Sequence, residues 1–207
     1  MLVNLSIQDF LSKTAGNEPV PGGGSVSALC GALSAALGQM VTNLTIGRKK
    51  YAEQEENMKN LNEVFQSALS EFTIDIDADS NAYNAVFSAF KLPKETEEEK
   101  RLRSEKIQAA TKMAIEVPMG VAKKAYALME PISQVARFGN QNAVTDACVA
   151  MMCARTAVLG ALLNVKINLS TLQDTDYAEK IKNECNTLEK ETIQKEQELL
   201  AWIKTIL

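Results

Sequence analysis

The sequence predicts an all-α protein, an antiparallel bundle of long helices that dimerises. Apolar residues recur at three- and four-residue spacing along most of the chain, and no stretch shows the two-residue alternation of a half-buried strand. The ten glycines and five prolines are few, and most fall between the periodic stretches, where they stop helices. Two segments, 25–46 and 144–165, are nearly uncharged and apolar all round. A small monomer cannot cover such helices on every side, so they suggest isologous packing against a second copy.

The first helix is short and amphipathic, Ser6 to about Ala15, with Ile7, Phe10 and Leu11 on one side. The run Pro19-Val20-Pro21-Gly22-Gly23-Gly24-Ser25 then leads into a long helix, from Ser25 as N-cap to about Ile46, stopped by Gly47. Within it Ser27, Gly31, Ala35 and Gly38 form a stripe of small residues that admits another helix closely, from the same chain or a partner. The third helix spans about Glu53 to Phe90 and ends at Lys91-Leu92-Pro93-Lys94. Thr96 and Glu99 make a capping box for the fourth, which continues to about Met129 with a bend at Pro118. Pro131 is expected to open a separate short helix ending at Gly139. A polar connector, Asn140-Gln141-Asn142, leads into a helix from about Val144 to Leu169. Asp174 or Thr175 starts the last helix, which is expected to reach the C-terminus. The 207 residues read as a single domain, 1–207, without an internal repeat.

Composition removes several kinds of chemistry. There is no histidine, hence no Ser-His-Asp or Cys-His nucleophile system, no imidazole base and no His-ligated metal. Proton transfer near neutral pH must use carboxylate, lysine, tyrosine, cysteine or water. A net charge of −4 argues against a nucleic-acid binder. The four cysteines form no CxxC pair and read as reduced core thiols in the cytoplasm. No ligand cluster predicts a metal site. The charge-free stretch from Pro19 to Gly47 is interrupted by serine, glutamine, threonine and asparagine, and reads as a buried central helix rather than a membrane span.

The candidate functional residues follow from their misfit to plain helix packing. Gly22, Gly23 and Gly24 let backbone N–H groups approach a ligand, and with Pro21 and Ser25 they open a helix whose positive end can receive an anionic or electron-rich group. Asp75, Asp77 and Asp79 lie mid-helix, where aspartate is a poor helix former. Asp75 and Asp79 share a face that Tyr83 continues, while Asp77 points roughly the other way. Asp79 borders the apolar stripe of Phe72, Ala82 and Val86, which suits a carboxylate at a cleft wall. Asp146 opens a long apolar helix that Asn164 and Asn168 close, with Asp146 and Asn164 ~27 Å apart. They serve opposite ends, or one site shared between two subunits. Arg48 and Lys49 offer a seat for an anionic substrate tail.

An ordered set of short motifs joins these residues: Asn4-Leu5-Ser6-Ile7-Gln8-Asp9-Phe10-Leu11, Pro21-Gly22-Gly23-Gly24-Ser25-Val26, Gly47-Arg48, Asp77-Ala78-Asp79-Ser80-Asn81-Ala82-Tyr83, Lys91-Leu92-Pro93, Val117-Pro118, Gly139-Asn140, Thr145-Asp146 and Asn164-Val165-Lys166-Ile167-Asn168. The set resembles the cyclodeaminase/cyclohydrolase family, which includes the C-terminal domain of formiminotransferase-cyclodeaminase and free-standing methenyltetrahydrofolate cyclohydrolases. The resemblance implies an all-helical homodimer acting on a tetrahydrofolate derivative as substrate, with no tightly bound cofactor. It implies a catalytic aspartate in the Asp77–Tyr83 segment, placed on Asp79 with Asp77 in reserve. Tyr83 and Thr145 stand where the family usually has phenylalanine and serine. The implied activity is formiminotetrahydrofolate cyclodeamination, with methenyltetrahydrofolate cyclohydrolysis as the alternative. A non-catalytic helical assembly protein is the reading from a different class.

Overall fold

The computed structural model describes residues 1–206. Six α-helices carry them: α1 (Ile7–Thr14), α2 (Gly23–Thr45), α3 (Glu55–Phe90), α4 (Glu97–Phe138), α5 (Val144–Leu169) and α6 (Thr175–Ile203). Short 3-10 segments lie at Leu2–Asn4, Lys49–Gln54 (two turns joined by a kink at Tyr51) and Gln141–Ala143, and no strand forms among the described residues. α2, α3, α4 and α5 close a ring in which each helix packs on two neighbours, and α6 lies along α5 and α4. The sequence-predicted all-α bundle is the observed architecture.

Local chemistry explains most boundaries. Ser6 accepts from Asp9 N–H to start α1, the Thr96–Glu99 capping box starts α4, and Asp174 accepts from Tyr177 N–H to start α6. Gly47 adopts φ +75°, a left-handed conformation that glycine enters without a Cβ penalty, and so turns the chain after α2.

The small-residue stripe of α2 is used within the chain. Phe72 and Phe65 of α3, both fully buried, seat their rings against Gly31 and Gly38. A Cβ at Gly31 would come within 2.6 Å of the Phe72 ring. On another side α2 runs antiparallel to α5: Gly23 lies beside Asn164, Ser27 beside Gly160, and the Ser34 hydroxyl donates to the Ala150 carbonyl at 2.8 Å. Both α2 and the 141–169 segment are long and apolar enough to cross a membrane, yet only 56% and 50% of their most apolar windows are buried in the bundle. The remainder of each window faces outward.

Four boundaries differ from the sequence expectation. Ser25 is not the N-cap of α2. Gly22 occupies that position, and Ser25, fully buried, is the third residue of the helix. The predicted break before Pro131 does not occur, because α4 runs on through Pro131 as it does through Pro118. A mid-helix proline costs ~3 kcal/mol, and the burial of Met119, Met129, Ile132 and Val135 on either side of the two residues offsets it. The start of α3 shifts to Glu55, because residues 49–54 form a 3-10 segment. Finally, α6 ends at Ile203 with turns to residue 206, and Leu207 lies outside the described residues.

Candidate active site

Residues 19–22 carry the chain across to the middle of α3, with the Val20–Pro21 peptide in cis, so that the first turn of α2 meets the acidic run of α3. A Cβ on Gly24 would collide with the carboxyl group of Asp79. Only glycine at this position lets the carboxylate lie flat against the helix end. The free N–H groups of that end lack a side-chain cap from Gly22. Asp79 supplies the missing acceptor from a different helix, taking hydrogen bonds from the backbone N–H of Ser25 and from its hydroxyl at 3.2 Å. The Ser25 hydroxyl also lies 3.1 Å from that of Ser80, which makes a buried chain behind the carboxylate.

Two effects oppose each other at Asp79. Burial disfavours the charged form and pushes its pKa above the ordinary aspartate value, while the two Ser25 donors pull it back, and burial is the larger. The result is a carboxyl group that keeps a proton to higher pH than a solvated aspartate.

Asp79 lies on the wall of a cavity of about 460 Å3, within the ~300–1,000 Å3 range of small-molecule sites. The glycine turn forms one side. Tyr83, Val86 and Phe90 continue from Asp79 along α3 as an aromatic and aliphatic wall, and Asn164, Ile167 and Asn168 close the cavity from the end of α5. Asn164 donates to the Gly160 carbonyl at 2.9 Å, and Asn168 donates to the carbonyls of Ala114 and Asn164. These bonds fix both amides and leave their side-chain oxygens as acceptors. A larger open groove, about 640 Å3, lies between α5 and α6 beside Lys166 and Lys182. It contains none of the sequence-predicted residues and is lined by no carboxylate other than Glu179, so the smaller cavity is the chemically furnished one.

The structure thus gathers Gly22, Gly23, Gly24, Asp79, Tyr83 and Asn164 around one cavity, with Ser25 directly behind. Pro21 is buried in the turn and does not line the cavity. Asp77 is engaged elsewhere: its carboxylate accepts the backbone N–H of Leu2 at 2.6 Å and of Val3 at 3.3 Å, which ties the N-terminus to α3. Asp75 pairs with Lys124 of α4. Arg48, Lys49 and Asp146 are not brought to the cavity by their own protomer. They lie at the far end of α2 and α5, ~30 Å away by helix rise. Sequence reasoning did not assign Asn168, Phe90 or Ser80 to the site. The four-residue spacing of Asn164 and Asn168 was the available signal for the first, while Phe90 and Ser80 looked like any helix residue. Among the described residues no group of three acidic or cysteine side chains is arranged to hold a metal ion. All four cysteines are free thiols, and burial raises the pKa of each.

A sequence profile of the formiminotransferase-cyclodeaminase family matches residues 6–187. The chain belongs to that family. It is 41% identical over 179 residues to a methenyltetrahydrofolate cyclohydrolase of Methylorubrum extorquens, covering 86% of each chain. It is 34% identical over 187 residues to the formimidoyltransferase-cyclodeaminase of Rattus norvegicus, covering 90% of this chain but 35% of that longer protein. The crystal structure of formiminotetrahydrofolate cyclodeaminase from Thermotoga maritima superposes with a TM-score of 0.84 at 28% identity, covering 98% of this chain and 99% of that one.

Proposed function

We propose that this chain is a tetrahydrofolate one-carbon enzyme in which Asp79 moves protons at the carbon bridging N5 and N10 of the folate. The observation that carries the reading is a partly desolvated carboxylate, held against a glycine-walled helix end, on the wall of a cavity with an aromatic side. The flat Tyr83 and Phe90 rings suit a conjugated pterin or aminobenzoyl group. The fixed amide oxygens of Asn164 and Asn168 suit the N–H donors of a pterin edge.

The chemistry needs no imidazole. In cyclohydrolysis, water adds to the cationic methenyl carbon. Asp79 as carboxylate takes a proton from that water, and delivers one to N5 as the carbon–N5 bond breaks. A second proton leaves to solvent, and 10-formyltetrahydrofolate remains. In cyclodeamination, N10 attacks the carbon of the protonated formimino group (–CH=NH2+), Asp79 carries the N10 proton to the departing nitrogen, and neutral ammonia leaves as the cationic methenyl bridge closes. Both routes pass through a tetrahedral carbon with positive charge nearby, which an adjacent carboxylate stabilises. A raised pKa suits a group that must hold and release a proton within one turnover.

The relative of nearly equal length and 41% identity favours hydrolysis as the first reading. The similarity to the Thermotoga cyclodeaminase supports cyclodeamination as the second. We place the enzyme in the cytoplasm as a single-domain homodimer, without nucleic-acid or membrane partner and without a tightly bound cofactor. Purified protein, given each substrate in turn, is expected to remove the methenyl-folate absorbance in the first case or to produce it with ammonia in the second. Absence of either change, with folate left unbound, would leave the assembly-protein reading in its place.

A further inference from the structure

The Asp79 cavity is lined by no lysine or arginine, although the folate substrate proposed above carries an anionic glutamate end. Two cations stand just outside it, where α3 stops. Phe90, the last residue of α3, lines the cavity and is half exposed, so it marks the opening. The Arg103 guanidinium, from the second turn of α4, lies 5.6 Å from the centroid of the Phe90 ring. It donates from Nε and Nη2 to the Phe90 carbonyl at 3.3 and 3.1 Å. Lys91, the next residue of the chain, holds its ammonium 4.1 Å from the centroid of Phe87. The Phe87 ring in turn stacks on that of Tyr83, which lines the cavity beside Asp79.

Both cations are held by neutral partners, which sets them apart from others near the mouth. Lys112 pairs with Asp174 and Lys166 with Glu189, whereas neither Lys91 nor Arg103 makes an ion pair among the described residues. An aromatic face holds a cation on one side and leaves the other side open to an anion. The bonds to the Phe90 carbonyl fix the guanidinium plane and leave its Nη1 edge free to take a carboxylate. The distance also fits. Phe90 stands three turns beyond Asp79 on the same helix, ~16 Å along it. An aminobenzoyl ring with one glutamate attached is about as long as four extended residues, ~14 Å. With the reacting carbon at Asp79 and the ring along the wall of Tyr83, Val86 and Phe90, the glutamate carboxylates emerge beside Lys91 and Arg103.

Resting on the folate reading, we propose that Lys91 and Arg103 form the subsite for the anionic glutamate end of the substrate, at the outer end of the Asp79 cavity. Arg103 takes one carboxylate through its free N–H edge, and Lys91 supplies a second, more mobile positive charge for the other. Both bind the substrate from its far end and touch no reacting atom. Such binding is equal in the ground and transition states, so it enters KM and leaves kcat.

Neutralising each side of the contact tests this. K91Q/R103Q keeps polar side chains at one exposed and one half-buried position. Wild type and variant are each given whichever of the two folate substrates the wild type converts, and the analogue of it whose glutamate carboxylates are both amides. The variant is expected to keep native circular dichroism, with KM for the natural substrate raised about tenfold or more and kcat within about twofold of wild type. Wild type should show a similarly raised KM for the diamide, and the variant no further rise with it. K182Q neutralises a cation in the separate groove between α5 and α6 and should leave KM unchanged. A wild-type KM in K91Q/R103Q, a loss confined to kcat, or a larger rise of KM in K182Q would overturn the subsite while the folate reading stands. The diamide with wild type needs no variant, and equal KM values for the two substrates would overturn the subsite by themselves. Conversion of neither folate by the wild type would sink the folate reading and the subsite with it.

Discussion

Asp77 and Asp79 are two residues apart on the same helix, chemically identical and equally anomalous mid-helix, yet their surroundings give them different work. Asp77 meets the N–H groups of Leu2 and Val3 and serves as a tether for the N-terminus. Asp79 meets a glycine turn, a buried serine pair and a cavity, and its pKa is raised by burial. The difference arises because residues two apart on an α-helix point to nearly opposite sides. What separates a tethering carboxylate from one on a cavity wall here is the neighbour each side chain meets.

The strongest way to break this contrast is D79N. It is expected to lower kcat by ~10²–10⁴-fold, the usual cost of losing a general acid–base group. It is also expected to raise the midpoint of thermal unfolding at neutral pH by up to ~3 °C. The sign follows from linkage. A carboxyl group with a raised folded-state pKa contributes stability fully present below its unfolded value, and that stability is lost as pH rises through the folded value. Asparagine removes this dependence, so calorimetry across the acidic range should find a flatter stability curve. Wild-type kcat in D79N would remove the catalytic assignment.

Next in size is G24A. The added methyl group collides with the Asp79 carboxyl group and must displace it from the helix end. Turnover should fall ~100-fold while circular dichroism stays native, because a misplaced reacting group costs about this much. Near-wild-type kinetics in G24A would show that the tight approach is dispensable.

S25A sharpens the comparison by changing only the electrostatics. One of the two Ser25 donors that lower the Asp79 pKa is lost, so that pKa should rise further. The acidic limb of the kcat profile should move to higher pH, with a loss of ~5-fold at neutral pH from one missing hydrogen bond of ~1 kcal/mol. A limb that stays in place would mean that a different group titrates.

D77N should have the smallest effect on activity. It keeps an acceptor oxygen for the N-terminal N–H groups but removes the charge assistance. Stability measured in urea should fall by ~1 kcal/mol or less with kcat unchanged. A large loss of kcat in D77N would reverse the roles of the two aspartates.

Much of the fold was legible because helices are specified locally. The apolar periodicity of α3 and α6, the capping box at Thr96, the stop at Gly47 and the uncharged character of α2 are statements about neighbouring residues, and the structure repeats them. The failures share a cause. Ser25 looked like an N-cap because serine caps helices when its hydroxyl has nothing better to bond, and here Asp79 and Ser80 are better partners from 54 and 55 residues away. Pro131 looked like a helix start because proline breaks an isolated helix, and packing around α4 overrides it. Among the site residues, the glycine turn, Asp79 and Tyr83 were visible as local oddities. Ser80 and Phe90 were not, because only the approach of another element gives them a role.

By itself the sequence determined the helical class, the order of the helices, the exclusion of histidine chemistry and the identity of the unusual residues, since each depends on composition or on spacing within a few turns. Only the tertiary structure decided which aspartate meets the glycine turn, that the small stripe of α2 receives the phenylalanines of α3, and that the cavity forms at the Asn164 end of α5 rather than at its Asp146 end. Those are facts about which helix face meets which neighbour over long separations in the chain, and local propensity carries no information about them.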